Sequence, residues 1–359
     1  MALEFASKLR RLDVYPAAGG YALGPEVALL ASNETPYPPL PAVQAAVAEA
    51  AMGTNRYPDP SNARLRGALS DRYGVPAHRI AIGNGSCDVL LAAGDALLEE
   101  GAEVIYAWPS FSVYPHLAKA SGARAIEVPL TESHHHDLDA MRAEITVATR
   151  LVVVCNPNNP TSTALPLDEI AQFVADVPGH VCVILDEAYI EFNLLDDPDA
   201  SVDLLAKHPN LVLLRTFSKA YGLAGLRVGY ALCGSDELPN AVNAVRQPFF
   251  CNVAAQAGAL AALRSQDAIA ERVERNLAER LGLADGLREL GIDAADSQAN
   301  FVWFDLPEAE VEPDVVRGLA DADVLVRAGT PLGRPGALRV TVGAPDENVR
   351  FLAVLATLL

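Results

Sequence analysis

Phe217-Ser218-Lys219-Ala220-Tyr221-Gly222-Leu223-Ala224-Gly225-Leu226-Arg227-Val228-Gly229-Tyr230 follows closely on the apolar run 211–214, which reads as a buried strand. It sets one lysine beside Ser218, with Arg227 eight positions on and Gly222, Gly225 and Gly229 between or beyond. A lysine there brings an amine to the mouth of a sheet, next to a hydroxyl and a guanidinium suited to phosphate. Alone, a lysine after a strand is ordinarily a solvated loop residue, because Lys is seldom buried unpaired. The stretch takes its meaning from two earlier strand ends.

Arg150-Leu151-Val152-Val153-Val154-Cys155 ends in the turn-rich loop Asn156-Pro157-Asn158-Asn159-Pro160-Thr161. Val181-Cys182-Val183-Ile184-Leu185 ends in Asp186-Glu187-Ala188-Tyr189. Apolar runs without alternation suit parallel strands covered by helices on both faces. Ligands of such sheets sit beyond the carboxyl ends of the strands. Asn159, Asp186, Tyr189 and Lys219 are therefore expected to share one crevice. An amine that condenses with an aldehyde, partnered by a carboxylate and a phosphate cup, suits pyridoxal 5′-phosphate (PLP).

These motifs, in this order and at this spacing, resemble those of fold-type I PLP-dependent aminotransferases. The nearest resemblance is to the histidinol-phosphate aminotransferase family, which has close aromatic amino acid aminotransferase relatives. It continues through Ser32-Asn33-Glu34, Arg56-Tyr57-Pro58-Asp59, Ser297-Gln298-Ala299-Asn300-Phe301-Val302 and Arg339-Val340-Thr341-Val342-Gly343, and covers nearly the whole chain. It implies an α/β protein with a large, mostly parallel sheet sandwiched by helices and a smaller α+β domain. The expected divisions are an N-terminal arm (1–32) packing with the small domain, a PLP-binding domain (33–240) and a C-terminal domain (241–359). The resemblance further implies a homodimer whose active site is shared between subunits.

Residue by residue, the resemblance makes Lys219 the cofactor-bearing amine and the base that moves the substrate proton. Asp186 is to pair with the pyridine nitrogen, and Tyr189 and Asn159 with the ring's phenolic oxygen. Gly83-Asn84-Gly85-Ser86 opens a helix whose free N–H groups suit an anion. Ser86, the amide of Cys87, Ser218 and Arg227 form the expected phosphate set, joined by Tyr57 of the neighbouring subunit. In Trp108-Pro109-Ser110-Phe111-Ser112-Val113-Tyr114 the stacking aromatic is assigned to Phe111, with Trp108 the other candidate. Arg339 and Arg327 are the expected substrate anion anchors, and Tyr21 and Asn33 complete the expected substrate pocket. The chain departs from the family at Ser162, where glycine is usual, at Cys87-Asp88, and in a short arm over 14–30.

At 359 residues, 51% hydrophobic and 20% charged, the chain is long and apolar enough for a sizeable core. A formal charge of −19 repels nucleic acid and anionic membrane, so neither is an expected partner. Any anion site must concentrate arginines locally. Residues 1–16 lack the apolar segment of a signal peptide, and no stretch reads as a membrane span. Five cysteines without CxxC spacing point to a reducing, cytoplasmic compartment. His134-His135-His136 reads as a solvated loop rather than a metal tract, since consecutive histidines cannot all face one ion. No metal is expected.

Helical and strand-like segments alternate over 40–232, the pattern of a βαβ sheet. Helices are expected over 41–51, 64–73 and 89–98, and strands over 79–82, 104–106 and 125–128. Beyond Pro239 a long helix is expected over 268–290, then strands over 301–304, 324–326 and 338–342 and a closing helix from Asp346. The expected reaction moves an amino group between L-histidinol phosphate and 2-oxoglutarate, in histidine biosynthesis. The alternatives are an aromatic amino acid (phenylalanine) aminotransferase, a PLP decarboxylase and a silent ligand sensor. A small-molecule amino donor and a 2-oxo acid are the expected partners.

Overall fold

The computed structural model describes residues 3–12, 24 and 26–359. In chain order the regular elements are β1 (Ala28–Leu29), α1 (Pro41–Ala51), α2 (Ala63–Tyr73), β2 (Ile80–Gly83), α3 (Ser86–Leu97), β3 (Glu103–Trp108) and α4 (Val113–Ser121). They continue with β4 (Arg124–Pro129), α5 (Leu138–Ala143), β5 (Thr149–Cys155), α6 (Leu167–Asp176), β6 (Cys182–Asp186), β7 (Leu211–Thr216) and β8 (Gly229–Cys233). Then follow α7 (Glu237–Val245), α8 (Val253–Leu263), α9 (Gln266–Glu289), β9 (Phe301–Asp305), α10 (Glu312–Asp321), β10 (Val324–Leu325), β11 (Arg327–Ala328), β12 (Ala337–Thr341) and α11 (Pro345–Leu358).

Seven strands form the large sheet in the order β2-β8-β7-β6-β5-β3-β4. The ladder from β4 through β3, β5 and β6 to β7 is parallel; β8 runs antiparallel to both β7 and β2. The unbroken apolar runs are explained by two buried faces. On β5, Leu151, Val153 and Cys155 face a core shared with Leu90, Leu117 and Leu238 of α3, α4 and α7. Val152 and Val154 face the opposite core, with Val43, Leu65 and Ile170 of α1, α2 and α6. Each such side chain contributes about 1.5–3 kcal/mol when fully buried.

A third core belongs to the smaller unit. There β11, β12 and β9 form an antiparallel sheet, β1 lies parallel to β10, and Leu287, Leu319 and Phe351 of α9, α10 and α11 cover them. Two expectations about the division of the chain change. Ala255, Ala259 and Leu260 of α8, and Ile269 early in α9, pack into the core of the large sheet. The change of unit thus falls within α9 rather than at residue 240, because α8 presents small apolar residues to α1. Of the expected arm, Ala28 and Leu30 join the smaller core. Arg11 instead donates to the Lys119 carbonyl at the end of α4, on the large unit.

One polar contact inside the large unit is energetically prominent. Arg215 of β7 donates to Glu187 (2.7 Å), to Asp199 (2.8 Å) and to the Pro198 carbonyl (2.6 Å), and both Arg215 and Glu187 are buried. Removing one member of a buried ion pair strands the other charge. Arg215→Met is expected to lower stability by about 3–5 kcal/mol in denaturant unfolding. The double variant with Glu187→Gln should recover part of that loss; an unchanged midpoint in the single variant would refute the argument.

Candidate active site

A cavity of about 610 Å³ opens where the large sheet's parallel strands end, facing the smaller sheet. Each strand end delivers its residue because the chain must turn there. Ser86 and Cys87 follow β2, Phe111 follows β3, Asn159 follows β5, Asp186 ends β6, and Ser218 and Lys219 follow β7. Arg227 enters just before β8, while Arg327 and Arg339 come from β11 and β12. Four cationic side chains (Lys219, Arg227, Arg327, Arg339) and two acidic ones (Glu34, Asp186) line the cavity. The cleft is thus locally positive in a protein of charge −19.

At one end the donors gather tightly. Arg227 lies in the left-handed region (φ 58°) and donates to the Ala224 carbonyl at 2.9 Å, with Ser218 Oγ 3.5 Å from the same nitrogen. A Cβ at Gly85 would overlap the Arg227 guanidinium, and one at Gly229 would overlap the Ser86 amide nitrogen. Only glycine permits this approach of helix start, strand and arginine. The free N–H groups opening α3, a hydroxyl and a guanidinium suit a phosphate dianion.

At the other end Asp186 is 4% exposed, and burial pushes its carboxyl up to about 6. Two donors oppose that shift: the Tyr114 hydroxyl at 2.8 Å and the Ala188 amide at 3.2 Å. Above about pH 6 the carboxylate can face a protonated ring nitrogen. Burial, then Arg339 and Arg227, push the Lys219 amine down to about 7 against an opposing pull from Glu34. Its Nζ donates to the carbonyls of Ser32 (3.1 Å) and Asn33 (3.0 Å). Burial raises the Tyr189 hydroxyl to about 12, so it is protonated and able to donate. Arg339 donates to Asn159 Oδ1 and to the Ala31 carbonyl, both at 2.6 Å, leaving the Asn159 amide group to point elsewhere. A nucleophilic amine, a carboxylate, two ring-oxygen donors and a phosphate cup fit PLP.

The loop after β5 clarifies Ser162. Its φ of 62° is the conformation that makes glycine usual at this point, and its N–H closes the turn on the Asn158 carbonyl at 2.9 Å. Phe111 lines the cavity, edge-on to Tyr114 at 5.7 Å, whereas the Trp108 indole lies against Gly333. Tyr57 is not brought into the cavity: it is 80% exposed and stacks on Phe249 at 4.5 Å. Tyr21 lies outside the described residues. His136 departs from the expected solvated loop. It is buried, shares Asn158 Oδ1 with Ser110, and is pushed down to about 4 by burial. Consecutive residues on a turn point different ways, and His136 is the one that points inward to brace the Asn158 loop.

Tyr114 was not anticipated from the sequence, although it lies three residues after Phe111 in a stretch read for aromatic stacking. Its partner Asp186 is 72 residues away, so only the fold reveals the pair. Among the described residues no group of His, Cys, Asp and Glu could hold a metal, and no helix is long and apolar enough to cross a membrane.

Comparison with known proteins agrees with this geometry. The family model for aminotransferase class I and II matches residues 25–354. An aromatic amino acid aminotransferase from Streptomyces coelicolor is 45% identical over 355 residues, covering 98% of this chain and 96% of that protein. One from Nocardia farcinica is 46% identical, covering 96% and 95%. A histidinol-phosphate aminotransferase from Sinorhizobium meliloti, solved in complex with PLP, superposes with a TM-score of 0.89 at 28% identity, covering 100% and 98%. The expected histidinol-phosphate reaction is therefore corrected: the enzyme with that name resembles this chain in fold at 28% identity, whereas the two relatives at 45% and 46% carry the aromatic name.

Proposed function

This chain belongs to the class I and II aminotransferases, and on that premise we propose that it transfers the amino group of aromatic L-amino acids to a 2-oxo acid such as 2-oxoglutarate. It is a PLP-dependent enzyme. The preference rests on the identity of about 45%, over nearly the full length, with aromatic amino acid aminotransferases. The cavity agrees: Phe111 and Leu332 supply apolar wall beside the carboxylate-binding chemistry of Arg339.

In this reading Lys219 is the amine that would hold the cofactor through its aldehyde and would carry the proton at the substrate's Cα. The bound cofactor supplies an electron sink for the carbanion left when that proton departs. Asp186 would pair with the ring nitrogen and favour its protonated form, with Tyr114 holding the carboxylate. Tyr189 and Asn159 would donate to the ring oxygen, and Phe111 would offer an aromatic face to the ring. Ser86, the Cys87 amide, Ser218 and Arg227 hold the phosphate. Arg339 binds the substrate carboxylate; Arg327, its cross-strand partner, meets the second carboxylate of the 2-oxo acid.

A cytoplasmic homodimer completes the proposal. Five free cysteines suit a reducing compartment. The exposed Tyr57–Phe249 stack suits a surface that a second copy covers, bringing Tyr57 to that copy's phosphate site. The test is steady-state kinetics with phenylalanine, tyrosine, aspartate and histidinol phosphate, each with 2-oxoglutarate. The aromatic donors should show at least about tenfold higher kcat/KM, a difference of about 1.4 kcal/mol. Equal or reversed preference would overturn the assignment.

A further inference from the structure

Asn33 lies where the chain crosses from the smaller sheet to the larger, buried to 1% exposure and at φ 54°, the left-handed region that non-glycine residues seldom adopt. Five hydrogen bonds converge on it. Its N–H donates to Thr341 Oγ1 (2.9 Å), and Thr341 Oγ1 donates to its Oδ1 (3.2 Å). Its carbonyl accepts from Lys219 Nζ (3.0 Å) and Asn300 Nδ2 (3.1 Å), filling both lone pairs. Its Nδ2 donates to the Tyr189 hydroxyl at 3.0 Å.

Two consequences follow from that geometry. In extended backbone, successive carbonyls point to opposite sides. The left-handed turn instead brings those of Ser32 and Asn33 to the same side, where both receive the Lys219 amine. A tyrosine oxygen that accepts from Asn33 Nδ2 keeps its own proton to give away, so the carboxamide fixes the direction in which Tyr189 donates. Both ends of the carboxamide are thereby engaged, which fixes its orientation.

We propose that Asn33 is a positioning residue, aiming the Tyr189 hydroxyl with its side chain and seating the Lys219 amine with its backbone. The inference rests on Lys219 carrying the cofactor and is independent of which amino donor is preferred. Its test needs no turnover: the pH midpoint of the holoenzyme's visible absorbance, titrated without any substrate. Asn33→Gly keeps the left-handed turn and removes the carboxamide. With Tyr189 no longer aimed, the midpoint should rise by about one pH unit.

In the Tyr189→Phe background, adding Asn33→Gly should leave the midpoint where Tyr189→Phe alone puts it, since the two act in series. Asn33→Ala, which also disfavours the turn, should in addition slow reconstitution about tenfold. If Asn33→Gly does not hold the cofactor, Asn33→Ser is read the same way, since it lacks the carboxamide and adds no charge. An unshifted midpoint in the carboxamide-lacking variant, or a shift that persists fully without the tyrosine hydroxyl, overturns this inference alone. A wild-type protein that forms no visible band overturns the reading of Lys219 as well.

Discussion

Lys219→Ala is expected to lower kcat by at least about 10⁴-fold, because the proposed mechanism gives one amine the work of both covalent anchor and proton carrier. Borohydride treatment should fix the cofactor to the wild-type chain and leave it removable from the variant. The wild-type amine has a characteristic pH response. It is pushed down to about 7 by burial, Arg339 and Arg227, so it is mostly protonated below that pH and mostly neutral above it. The neutral form is the nucleophile, and reconstitution should therefore quicken as pH rises through about 7. Growth of the visible band after mixing measures this between pH 5.5 and 8.5. A variant turning over within tenfold of wild type would sink the assignment.

Asp186→Asn should cost about 10²–10³-fold in kcat, the loss typical when one preorganised contact to developing charge is removed. The amide matches the carboxylate in size but cannot hold a proton on the ring nitrogen. Lys219 is untouched, so the visible band should still form while half-transamination with phenylalanine becomes slow. Stopped-flow absorbance separates the two. A slow half-reaction together with an intact band places the defect in the chemistry; an unaffected rate would remove Asp186 from it. Tyr114 and the Ala188 amide already donate to this carboxylate.

Much of the candidate site was legible because the residues proposed to carry the chemistry sit at strand ends, where local sequence marks both strand and turn. Lys219, Asp186 and Asn159 each follow a run of apolar residues, and burial on two faces is what makes such runs conspicuous. Several element limits moved by a few residues for local reasons: β2 begins at Ile80 because Arg79 ends a 3-10 turn, and α3 begins already at Ser86. Contacts between distant segments left no local trace. Tyr114 on Asp186, Arg339 on Asn159 and Asn33 on Tyr189 are separated by 72, 180 and 156 residues. His136 misled because two of its neighbours in a polar run do face outward more than it does. The histidinol-phosphate expectation rested on strand-end motifs that speak to a cofactor, whereas cavity-lining positions such as Leu332 lie in no such motif.

Arg327 and Arg339 are directly paired across an antiparallel ladder, so backbone hydrogen bonding places both guanidiniums on one face. The intervening segment 329–336 carries Leu332 into the cavity and is held at both ends: Glu312 accepts from the Thr330 amide and hydroxyl and from the Gly336 amide, and Asp305 accepts from Arg334. Division of labour is built into this hairpin. Its ladder is a fixed two-cation ruler, and its tip, held by Glu312 and Asp305, is the part that sets the apolar wall beside those charges. A one-residue slip in the ladder would turn Arg339 away from the cleft altogether.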